Sequence, residues 1–112
     1  MEVMVPEPST PEGSLLLAAR ALQAAADQAE DDTRTGRATH VTETDIKILL
    51  WLGASLLGEG RDLRSTPPTD RSVHALLQLA ETELRRFPLG DYPAGTTEIV
   101  IGLCDLIRNG RP

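Results

Sequence analysis

Three side chains in this sequence have the chemistry to ligate a soft metal or to act as a nucleophile: His40, His74 and the single cysteine, Cys104. A zinc-type centre needs such ligands clustered at short spacing. These three are far apart in the chain, so no metal site is expected. One cysteine also rules out an intrachain disulfide, and the protein has no need of an oxidising compartment. Cys104 lies in an apolar stretch with no basic residue close by in sequence to lower its pKa, and it reads as a small buried hydrophobe.

The other patterns suggestive of catalysis fail on geometry. Gly53-Ala54-Ser55-Leu56-Leu57-Gly58 places a serine between glycines. A nucleophile elbow, however, needs glycine two residues after the serine and a strand before it. Ser55 sits inside a helical pattern, where its hydroxyl bonds back to a carbonyl. Gly58-Glu59-Gly60-Arg61 lacks the preceding strand, the spacing and the lysine of a phosphate loop. Glu81 and Glu83 fall on different sides of a helix and make no acid/base pair. Arg61, Arg64, Arg71, Arg85 and Arg86 would contact an anion or an acidic partner if they converged. Their positions near helix ends fit solvated charge instead. No catalytic or cofactor-binding residue is assigned, and no cofactor is implied.

Charge and composition narrow the remaining classes. The chain has 17 acidic and 11 basic residues, a net charge of −6, which is the wrong sign for a general nucleic-acid binder. Ten of the eleven basic residues are arginine, a bias typical of GC-rich bacteria such as actinomycetes. The first residues form neither a secretory signal nor a membrane span, so a cytoplasmic protein with no membrane partner is expected. With one Trp, one Tyr and one Phe, the core must be aliphatic.

Periodicity supplies four helices and no alternating strand. Residues 1–10 have nothing periodic to bury and are expected to be a disordered tail, leaving 11–112 as a single helical domain. The first helix spans about 11–30, opened by Ser9 with Glu12 as a capping box. Its stripe Leu15, Ala18, Ala19, Leu22, Ala25, Ala26, Ala29 is mostly alanine and buries modest area. Glu30, Asp31 and Asp32 oppose the helix dipole, so they are expected in a loop beyond a helix that ends near Gln28, or else as an acidic patch. A polar loop, 33–41, follows.

The second helix, about 43–58, has only Lys47 and Ser55 as polar interruptions between Ile46 and Leu57. Such a helix is central in its domain or shared with a second subunit. Gly53 in its middle implies a close helix crossing there. Thr69 or Asp70 caps the third helix, about 70–87, which buries Val73, Leu76, Leu77, Ala80, Leu84 and Phe87. Arg71, His74, Gln78, Glu81 and Arg85 occupy its polar side. Thr96 or Thr97 caps the fourth, about 97–109. Ile99, Leu103, Leu106 and Ile107 face the core, with Val100, Ile101 and Cys104 widening the apolar arc.

The stretch Thr42 to Ile107 resembles a small all-helical actinobacterial family of unknown function, encoded near natural-product biosynthetic genes. The likeness lies in the apolar helix Ile46–Leu57 ending at Glu59 and the proline-bearing link. It continues in Ala75-Leu76-Leu77, Ala80-Glu81 and Leu84-Arg85, and in a short last helix with Cys104 and Leu106. It implies a genomic setting and no mechanism.

The expectation is therefore an all-α, compact four-helix bundle-like domain. Its function is that of a non-enzymatic interaction or regulatory protein, acting as a homodimer or by binding a larger protein partner. The candidate interface or pocket residues are Leu52, Trp51, Val100, Ile101 and Cys104. The alternative is a small-molecule binding or accessory protein in a natural-product pathway, with a ligand between helices near Trp51.

Overall fold

A computed structural model describes residues 10–36, 43–58 and 72–109. Four helices run in order: α1 (Pro11–Arg34), α2 (Glu43–Leu57), α3 (Val73–Leu84) and α4 (Thr96–Asn109), with a short 3-10 turn at Leu89–Asp91 before α4. The expected all-α four-helix domain is what forms. Residues 1–9 of the expected tail, His40, Thr69, Asp70, Arg61, Arg64 and Arg71 lie outside the described residues.

The helices pack as a ring: α1 against α2 and α3, and α4 closing the far side against the same two. The sequence pattern left the second helix either central in its domain or shared with a second subunit. In the ring it is α1 that packs most extensively, on α2 and α3. Ser14, Ala18, Ala19, Ala21, Ala24, Ala25, Ala26 and Ala29 are all buried along it. Alanine adds little bulk, so two neighbours can approach one helix from different sides. A row of alanines thus becomes a hub although each buries little area.

Helix α1 also runs further than expected. Thr10, rather than Ser9, caps it, its Oγ1 accepting from the Gly13 amide at 3.0 Å, with Pro11 in the first turn. Glu30, Asp31 and Asp32 stay within the helix, which corrects the expected loop. Arg34 in the last turn offsets part of this unfavourable charge and pairs with Glu30 at 3.8 Å. Gln28 donates to Asp32 at 2.8 Å. Thr35 closes the end, donating from Oγ1 to the Asp31 carbonyl at 3.0 Å, before Gly36 turns the chain at φ 83°.

Helices α2 and α4 run antiparallel. Leu56 lies against Gly95, Gly53 near Ile99, and Leu49 against Gly102. The close approach is at Gly102, where a Cβ would collide with the Leu49 side chain. At Gly53 a Cβ would meet Ala19 and Ile99 at 3.8 and 3.9 Å, ordinary contact distances. The close crossing expected at Gly53 is therefore not found there, and the tight contact is between the Leu49 side chain and Gly102 of α4.

Ser72 caps α3, its Oγ accepting from the Ala75 amide at 3.1 Å. The helix is shorter than its pattern suggested, because the chain turns at Arg85–Phe87 to reach Pro88. This turn is pinned by an ion pair between a buried carboxylate and an exposed arginine, Glu83 and Arg86. Glu83 is buried, and the Arg86 guanidinium holds it with Nε at 3.0 and 3.1 Å from the two carboxylate oxygens. Tyr92 donates its hydroxyl to the Glu83 carbonyl at 3.3 Å and meets Phe87 edge to face. Helix α4 starts at Thr96, a buried residue whose hydroxyl donates to the Pro93 carbonyl at 2.8 Å.

Candidate functional site

Two places on the molecule have features that packing alone does not explain. The first is the outer face of α2. Ile46, Leu49 and Gly53 turn inward, while Leu50, Leu52, Leu56 and Leu57 are half-buried against the core. At helical spacing the opposite face carries Thr44, Ile48, Trp51 and Ser55, all exposed. Ile48 is 55% exposed and Trp51 is 71% exposed. On α4, Ile101 also points outward, 57% exposed. Tryptophan is highly buried on average, so the only Trp of the chain standing in solvent beside an isoleucine is informative.

The expected interface residues are therefore not brought together as one cluster. Trp51 and Ile101 are exposed, on separate helices. Leu52 and Val100 are half-buried against the core. Cys104 is half-buried and turns to α3. Trp51 stands on the outer face of α2 and is not a core residue. Ile48 belongs to the exposed face and was not singled out. Its spacing three residues before Trp51 was the available signal.

The second place is the seam between α3 and α4. The Cys104 thiol donates to Glu81 Oε2 at 3.0 Å, and the same oxygen accepts from Arg85 Nη2 at 3.2 Å. Arg85 Nη2 is 3.9 Å from the sulfur. The sequence placed no base near Cys104, yet Arg85 reaches it across the helix pair. The arginine does not activate the thiol, however. The hydrogen bond to the Glu81 carboxylate, burial and the negative charge of Glu81 raise the Cys104 pKa, against the smaller opposing effect of Arg85. Glu81 is correspondingly lowered, first by the thiol hydrogen bond and then by Arg85, against desolvation. The result is a protonated thiol, which is a poor nucleophile.

A groove of about 210 Å³ opens here, lined by Glu81, Cys104, Ile107 and Arg108. Small-molecule sites occupy roughly 300–1,000 Å³, so this one falls below that range. Arg85 and Arg86 are each engaged with a carboxylate, Glu81 and Glu83, and do not form an anion clamp.

Other polar groups add no chemistry. His74, expected on a solvated face, is half-buried with Nδ1 lacking a hydrogen-bond partner, and Ser14 Oγ is buried and likewise unmatched. Among the described residues no three His, Cys, Asp or Glu side chains converge as metal ligands, and no helix is long and apolar enough to cross a membrane. Ser55 lies exposed within α2, not on a turn. No protein-family model matches the chain, and no curated protein or solved structure is significantly similar to it.

Proposed function

We propose that this chain is a non-enzymatic helical interaction protein, working by association with a second copy or with a larger protein through the outer face of α2. The observation that carries this reading is the pair Ile48 and Trp51, adjacent on one helix face and 55% and 71% exposed. Large apolar side chains held in water on a rigid helix lower the free energy of any complex that covers them. Tryptophan is also enriched among the residues that dominate binding energy.

Light scattering over a range of micromolar concentrations tests self-association. A mass of twice 12.1 kDa, lost on Trp51→Asp with helicity kept, supports it. A photo-crosslinking amino acid at position 51, introduced in cells producing the chain, tests for a larger partner. A constant monomer mass together with no adduct at position 51 overturns the reading.

A further inference from the structure

The outer face of α2 has an internal symmetry that bears on what covers it. Thr44, Ile48, Trp51 and Ser55 are spaced by four, three and four residues, the spacing of a two-helix seam. All four are exposed. The pair Ile48 and Trp51 shares one midpoint with the pair Thr44 and Ser55, between Leu49 and Leu50. Turning the helix end for end about that midpoint therefore lays Ile48 on Trp51 and Thr44 on Ser55.

Resting on the reading above, we infer that the occupant of this face is a second copy of the chain, with α2 of one protomer packed antiparallel on α2 of its partner about a two-fold axis between Leu49 and Leu50. A two-fold interface must be complementary to itself, and this seam is. The bulky pair falls at its centre, where anchoring residues exclude water best. The small pair falls at its ends, where neither residue obstructs the packing of the central pair.

Charge and area agree. Each chain carries −6, so two copies repel over most of their surface. The four seam residues are uncharged, and the face is one place where the chains meet without opposing carboxylates. Trp51, 71% exposed, offers over ~100 Å² of the ~150–250 Å² an aromatic residue can bury. Ile48 adds a second apolar patch, and each is present twice in a symmetric pair. With the flanking Lys47 and Leu52, this supplies the apolar centre of an interface at or below the standard size of about 800 Å² per partner. A reversible dimer is the expected product.

The test uses the full chain with Cys104→Ala, carrying Thr44→Cys or Ser55→Cys, each confirmed helical by circular dichroism. In the antiparallel seam Thr44 of one copy faces Ser55 of the other. Two Thr44 positions lie ~16 Å apart along the axis, beyond disulfide reach of about 7 Å. Mild oxidation of the two variants mixed should give a disulfide dimer on a non-reducing gel, and either alone should not. Trp51→Ala should raise the dimer dissociation constant at least tenfold with helicity unchanged. A crosslink from Thr44→Cys alone overturns the antiparallel pairing. Doubled mass without the mixed crosslink places the interface elsewhere and overturns this inference while leaving the association reading intact. A monomer at every concentration overturns the self-pairing, and the adduct at position 51 then decides whether the broader reading survives.

Discussion

Replacing Leu77 with alanine probes the packing on which the whole arrangement depends. Leu77 is fully buried, in the same cluster as Ala18, Ala21, Leu22 and Ala25 of α1. Truncation removes three carbons and leaves a cavity whose cost depends on how far the surroundings can collapse. Leu→Ala changes in well-packed cores cost about 2–5 kcal/mol, rising with the volume left empty. Alanine has no side-chain torsion with which to swing a methyl into the gap, so α1 can fill it only by moving as a helix. That rigidity keeps Leu77→Ala off the low end of the range, at about 3–4 kcal/mol. Against a stability of roughly 5–15 kcal/mol for a domain of this size, the loss is large, and the thermal midpoint should fall by about 15 °C. Urea unfolding followed by far-UV circular dichroism, at fixed protein concentration, measures it. Tryptophan fluorescence is the wrong probe, because Trp51 stands in solvent and reports on association. Leu79→Ala on the same helix, 36% exposed, serves as the control and should stay within about 1 kcal/mol. A Leu77→Ala cost under ~0.5 kcal/mol, the level of surface substitutions, would refute α1 as the packing hub.

Four further outcomes follow from particular contacts. Glu81→Gln removes the charge that holds the Cys104 proton, so the pH profile of thiol alkylation should shift to lower pH, while Arg85→Gln should shift it upward; identical profiles would remove the carboxylate as the cause. The stabilisation from ionised Glu81 is present above the ordinary carboxylate range and lost as pH falls through its lowered folded value, so wild type and Glu81→Gln should converge in stability in acid and differ at neutral pH. Tyr92→Phe deletes the bond to the Glu83 carbonyl and should cost about 0.5–1.5 kcal/mol in thermal unfolding, with no loss counting against the pinned turn. Gly53→Ala, meeting only ordinary contacts, should stabilise by up to about 1 kcal/mol through helix propensity; Gly102→Ala, which forces Leu49 to move, should not.

Salt separates a second copy from a basic partner on the same face. Screening weakens repulsion between two chains of like charge, so the dimer should tighten as salt rises. An attraction between this acidic chain and a basic protein should weaken instead. Sedimentation at low and high salt distinguishes the two.

Much of this molecule was written in local pattern. The number of helices, their order and the inward faces of α3 and α4 follow from apolar spacing, because a helix must bury its stripe whatever it meets. What escaped local pattern was every feature that depends on which helix lies beside which. Alanine-rich α1 promised modest burial because each alanine buries little, yet small side chains are what admit two neighbours at once. Helix α2, apolar nearly all round, was either central or shared with a second subunit, and only the ring of four helices shows that Ile48 and Trp51 are left outside it. Glu83 is buried where the turn carrying Arg86 and Tyr92 packs on it, a contact no helical spacing announces. Arg85 and Cys104, nineteen positions apart, share a carboxylate only because α3 and α4 pack together. Periodicity reports that a side chain must be covered, and tertiary structure decides by what, because coverage depends on distances between elements that no single helix contains.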